Sequence, residues 1–271
     1  MIPLKKVKDW VYKDGVPLLK DHEIEAYGYE FVRKYSPISI KRNLSIPIIE
    51  ILKIMVAKKM INFDIVDLGT DGDYKVLGKT ILDKNTILID ESLYYNTEKN
   101  FILRRTIAHE LGHWTFHRRK KIKFISEKEQ ELEENDFVYR LVNGEELKVY
   151  IKDIDFFKDF KKVLKNPVDF AEHQAKIFAA SVLLPKDILI NVLIDYQKNI
   201  INMTKNFGYI YINDVYSSIL EFYDTLKYLK KYFEVSKASI EYRLTYLNRI
   251  IDTRTKSRYT AKNLSHILNE I

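Results

Sequence analysis

The sequence predicts an α+β protein, and three observations predict it. Stretches with apolar residues at helical spacing come first, short runs rich in β-branched residues follow between 61 and 90, and the remainder reads as mostly helical. An apolar fraction of 46% over 271 residues allows one large domain or two small ones with a real core. Cysteine is absent, which excludes disulfides, thiolate metal sites and cysteine nucleophiles. Any metal must therefore be held by His, Asp or Glu.

In chain order, residues 22–35 (HEIEAYGYEFVRKY) and 47–60 (PIIEILKIMVAKKM) read as two amphipathic helices, the second opening at Ser45 and Pro47. INFDIVDL, YKVLGKTI and NTILID then predict three short strands, separated by the turn clusters GTDGD and DKN. Thr97 is a candidate cap for the next helix, with Glu98 in its first turn. Residues 118–136 hold a basic block and then an acidic one, read as a solvated connection or exposed helix. FVYRLVNGEELKVYI follows, two β-rich runs around Asn143-Gly144 that predict a tight hairpin. A helix over 168–184 ends at Pro185, and 186–271 looks mostly helical.

The N-terminal stretch carries charges with no uninterrupted apolar block, and IPIIEILKIMV is broken by charge, so the expected protein is soluble and cytoplasmic, with no membrane partner. The net charge of +7 is a modest excess of 45 basic over 38 acidic residues and carries little weight for nucleic-acid binding.

The chemistry concentrates in RRTIAHELGHWTFH, residues 104–117. On a helix, Leu103, Ile107, Leu111 and Trp114 fall on one stripe, expected to be buried, while His109, Glu110 and His113 occupy the sector beside it, expected to face a cleft. His109 and His113 are one turn apart, so both imidazoles can point at one ion. Glu110 beside them can take a proton from water that the ion has made acidic. The competing reading is an amphipathic helix with unrelated polar residues. A catalytic zinc takes a third protein ligand. His117 lies a further turn along and reaches only if the helix breaks, so it reads as a supporting or structural group.

A better third ligand lies in DFAEHQAKIFAASVLLP, where Glu172 shares a helical stripe with Ala175, Ala179 and Val182. Small alanines allow close approach of another helix, and a carboxylate on that face needs a compensating partner such as a metal. The alternative is a partly exposed glutamate favoured by the helix dipole. His173 points elsewhere and reads as a surface residue.

These segments together resemble the ImmA/IrrE family of zinc metallopeptidases: TIAHELGHWTFH at 106–117, EHQAKIFAASVLLP at 172–185 and FEVSKASIEYRLTYLNRI at 233–250. The resemblance covers roughly residues 22–250. It implies a zincin-like domain over 1–200, a small twisted sheet beside the active-site helix, with a helical region over 201–271. It implies His109, His113 and Glu172 as zinc ligands and Glu110 as the catalytic base. The 55 positions from His117 to Glu172 exceed the family's pattern, which marks 118–168 as an insertion, and Gln174 stands where a further acid is common. In zincins an edge strand pairs with the substrate, and TILID at 86–90 is the strand expected to do so here.

The resemblance thus implies a zinc endopeptidase of narrow specificity, its partner a protein substrate such as a helix-turn-helix repressor encoded nearby. Two other readings stand beside it: a DNA- or protein-binding regulator that uses the metal site as a scaffold, and a toxin built on the peptidase fold. The helix, turn and helix predicted over 225–250, with Ser236 as a cap, are where DNA contact would be sought.

Overall fold

Residues 9–71, 74–119, 136–142 and 167–254 are described by the computed structural model. A hairpin with no counterpart in the sequence reading comes first, β1 (Tyr12–Lys13) against β2 (Val16–Pro17). Its turn residues Asp14 and Gly15 both take positive φ, 51° and 87°, as a two-residue hairpin loop requires. The two expected helices follow as α1 (Asp21–Tyr35) and α3 (Ile48–Ala57), with a short α2 (Pro37–Arg42) between them. Proline at the first position suits α2. Lys59, with φ of 55°, marks the chain's exit from α3 ahead of the expected end at Met60.

All three expected strands form, as β3 (Asn62–Val66), β5 (Tyr74–Ile81) and β6 (Thr86–Asp90), and a short β4 (Thr70–Asp71) pairs with the start of β5. The expectation that 86–90 is an edge strand is wrong: β6 lies between β3, parallel through Asp64↔Leu88, and β5, antiparallel through Thr80↔Ile87. Ile87, Ile89 and Asp90 of β6 are all at 0% exposure, and such a strand is stabilised by cover on both sides. The strand beside the histidine helix is β5. Its outer side is taken by β7 (Asp136–Val142), antiparallel from Tyr74↔Val142 to Ile81↔Asp136. β7 is the first limb of the expected hairpin. The Asn143-Gly144 turn, the second limb and the charged connection over 120–135 lie outside the described residues.

Between sheet and site, the Asp90 carboxylate caps α4 (Glu91–Tyr94) by accepting from the Ser92 amide. Thr97 does not start the histidine helix. Asn96 caps a single 3-10 turn over Thr97–Lys99, and α5 proper runs Asn100–His117. The expected burial of Leu103, Ile107, Leu111 and Trp114 holds, but the neighbouring sector is buried as well, because α5 is wedged between the sheet and α6 (Pro167–Leu183).

Gly112 makes that wedge possible. A Cβ there would stand 2.8 Å from the Ala175 Cα, so the pair Gly112 and Ala175 sets how closely α5 and α6 approach. After α6 come α7 (Lys186–Asn199), β8 (Ile210–Ile212), α8 (Tyr216–Phe233), α9 (Lys237–Tyr246) and β9 (Ile250–Asp252). β8 and β9 pair in parallel, a small sheet the reading of 186–271 as mostly helical did not include. Ser236 caps α9 as expected, accepting from the Ser239 amide.

One buried cluster takes residues from Trp10 to Leu244, drawing on α1, α5, α6, α8 and α9 together. Among the described residues no single helix is long and apolar enough to cross a membrane; only α6 and α7 taken together, bent by 44°, pass that test, and both are largely buried against the rest of the chain.

Candidate metal centre

Helices α5 and α6 bring three donor side chains to one point. His109 Nε2 lies 3.0 Å from His113 Nε2. Glu172, on α6, sets Oε2 3.3 Å from His109 Nε2 and Oε1 3.3 Å from His113 Nε2. His109, His113 and Glu172 form a group able to hold a metal ion, and they are the residues the sequence proposed as ligands. The two histidine–carboxylate distances fit one, since ligand bonds of about 2.0–2.2 Å in a tetrahedron place neighbouring donors about 3.3–3.6 Å apart, and the imidazole pair is slightly closer, at 3.0 Å. Imidazole and carboxylate together suit zinc and several other divalent ions.

Electrostatics agree with that fit. Burial pulls the His109 imidazole down to about 4 despite the opposing pull of Glu172. Burial would raise the Glu172 carboxyl, but the electrostatic pull and hydrogen bonds of the two imidazole rings beside it outweigh this and hold it well below the usual range. The site thus favours a negative Glu172 and at the same time resists a proton on His109. A bound cation satisfies both.

Glu110 sits beside the group at 0% exposure. Thr80 of β5 donates to its Oε2 at 2.5 Å, while Oε1 is buried with no hydrogen-bond partner among the described residues. Leaving such an oxygen unmatched costs roughly 1–3 kcal/mol, and this one stands beside the donors of His109, His113 and Glu172. Burial pushes the Glu110 carboxyl well above its ordinary range, the Glu172 charge adds to this, and the Thr80 hydrogen bond opposes it. Gly78 lets β5 come this near: a Cβ there would meet Thr106 Cγ2 at 2.6 Å and Glu110 Oε1 at 3.1 Å.

His117 stays on the unbroken helix, at 0% exposure, and its Nδ1 lies 3.1 Å from Nδ1 of His113. It touches His113 and does not join the three-residue group. His173 is not simply a surface residue: it is half-buried, and its Nε2 lies 2.8 Å from the Asp21 carboxylate at the start of α1. Thr80 escaped the sequence reading, and a glycine inside an otherwise β-rich run was the only hint that β5 approaches another element there. A cavity of about 40 Å³, room for a few water molecules, reaches His109 between α5, α6 and α9 and is walled by Lys176, Ala180 and Tyr242 among others.

Neither a scan against protein-family models nor a search of curated proteins finds a match for this chain. The likeness to ImmA/IrrE peptidases rests on the motifs alone.

Proposed function

We propose that the chain is a cytoplasmic zinc-dependent endopeptidase of narrow specificity, with His109, His113 and Glu172 as ligands and Glu110 as general base. One observation carries the reading: donors from two helices, with dozens of residues between them in sequence, converge within 3.3 Å, beside a buried carboxylate whose Oε1 is kept open. When bound, zinc is a Lewis acid that polarises a carbonyl and makes water acidic enough to attack near neutral pH.

The chain's own groups do the rest. Thr80 orients the Glu110 carboxylate through Oε2, which leaves Oε1 to take a proton from the attacking water and to pass it to the departing amine. The raised pKa of Glu110 suits a group that must both accept and return a proton. The tight packing of α5 on α6 excludes bulk water and holds the geometry.

The resemblance suggests a helix-turn-helix repressor encoded nearby as substrate, so that cleavage relieves repression. Pairing of an extended substrate along the outer side of β5 requires β7 to leave that position. The test is proteolysis of the neighbouring repressor by the zinc-loaded chain. Wild type cleaves it, and Glu110→Gln binds zinc but cleaves at least ~100-fold more slowly. Equal rates would refute the mechanism.

A further inference from the structure

We propose that a chain of hydrogen bonds from the Pro17 carbonyl through Gln174 and His117 fixes the tautomer of His113 and so presents its Nε2 lone pair to the cation. The inference rests on the metal-centre reading, but the hydrogen-bond chain exists without an ion and can be tested without one.

The logic starts at a group with no freedom. A backbone carbonyl can only accept, so the Gln174 Nε2, 2.6 Å from the Pro17 oxygen, is the donor. The other end of that amide, Oε1, can only accept, and it faces His117 Nε2 at 3.1 Å. His117 must carry its hydrogen on Nε2. A neutral imidazole with its hydrogen on Nε2 has its lone pair on Nδ1. That atom lies 3.1 Å from His113 Nδ1, and of the two only His113 can now donate. With its hydrogen on Nδ1, His113 has its lone pair on Nε2, the atom that faces Glu172 and His109. Each step follows from the one before.

This gives the N-terminal hairpin a part in the centre. Pro17 is in β2, which packs against both α5 and α6, so the hairpin anchors the tautomer of a ligand carried nearly a hundred residues later. Gln174 is also explained. It follows Glu172 by two positions, and its primary amide can donate to a carbonyl and accept from an imidazole at once. Gln174 and His117 are positioning residues, since they act only through His113.

The experiment is nitrogen-15 NMR of the histidine rings in the metal-free protein, followed by zinc titration against a chelating dye. In wild type the hydrogens are expected on Nδ1 of His113 and Nε2 of His117. Gln174→Leu, close in size, should mix the tautomers and weaken zinc binding by about 10–100-fold, the range for groups that orient metal-bound histidines. His117→Phe should weaken it by a similar factor. A wild-type His113 protonated on Nε2 overturns the proposal, and the wild-type spectrum decides this even if a variant does not fold. So does a Gln174→Leu protein whose tautomers and zinc affinity match wild type. The expected tautomers in a wild-type protein that binds no zinc would uphold the chain of hydrogen bonds and refute the metal centre.

Discussion

The α8–α9 pair and the α5–α6 pair both bury ionisable side chains, Arg243 at 2% exposure in one and Glu110 at 0% in the other, and the two groups are used differently. Arg243 of α9 is spent inside the protein. Its Nε donates to the Leu184 carbonyl, its Nη1 pairs with Glu25 of α1, and its guanidinium lies 5.5 Å from the Tyr246 ring centre. Glu110 is held by Thr80 at one oxygen and left open at the other. Burial is common to structural and chemical groups, so it does not separate them. Between these two, the difference is that Arg243 turns its donors to Leu184 and Glu25, while Glu110 leaves Oε1 unmatched beside three candidate metal donors.

The same comparison bears on the reading of α8–α9 as a DNA-binding element. The helix, turn and helix are present, but α9 turns Ala238, Ile240, Arg243 and Leu244 inward, so its buried arginine is committed to Glu25. A DNA-binding regulator predicts tight, salt-sensitive binding. A gel-shift series that is blank at low salt would remove that alternative.

The comparison can be broken or sharpened by substitution. The largest effect is expected at Glu110: Glu110→Gln should lower peptide hydrolysis by about 10²–10⁴-fold with zinc stoichiometry unchanged, as read by parallel cleavage and metal assays. Next is His113→Ala, which removes one of the three proposed ligands outright. Its zinc affinity, by dye competition, should fall by more than the ~100-fold ceiling expected for orienting groups.

Arg243→Met tests the other pair. Urea unfolding should show a loss of about 1–3 kcal/mol, less than the ~3–5 kcal/mol of a fully buried broken pair because Glu25 keeps some contact with water. Zinc affinity should not change, and a parallel loss of zinc would erase the distinction between the two regions. Gly112→Ala should cost a similar amount, about 1–3 kcal/mol by overpacking, but should also weaken zinc binding, because forcing α5 from α6 separates the histidines from Glu172.

The most gradual effect is with pH. His109 and His117 are pulled by burial to about 4 and about 3. Below the ordinary histidine pKa of about 6.5 the unfolded chain therefore binds more protons than the folded one, so stability falls as pH falls. Glu110 acts in the opposite sense, since its raised pKa makes the folded state the better proton binder above the ordinary carboxyl range. Measured in metal-free Glu110→Gln, where that opposing group is gone, stability should decline below about pH 6.5 by up to ~1.4 kcal/mol per pH unit for each histidine. A flat profile from pH 6.5 to 5 would contradict the burial argument.

Much of this was legible in the sequence because it was periodic. One helical turn between His109 and His113 was enough to pair them, and a stripe of Ala175, Ala179 and Val182 made Glu172 a candidate that the motif resemblance then selected; the fold brings the three together. What escaped was pairing across the chain. The TILID run shows that 86–90 is a strand, but its neighbours depend on a parallel partner at 62–66 and an antiparallel one at 74–81, and no local pattern encodes that choice. Thr80 and Pro17 escaped for the same reason. Each acts through one atom on a residue tens of positions away or more, with no periodicity to mark it.

The most direct test is X-ray absorption of the zinc-loaded chain, in wild type and in Glu172→Ala. The account predicts one zinc per chain with two imidazole nitrogens and a carboxylate oxygen at about 2.0–2.2 Å, and loss of that oxygen in the variant. A protein that takes up no zinc, or a coordination shell unchanged by Glu172→Ala, would contradict it.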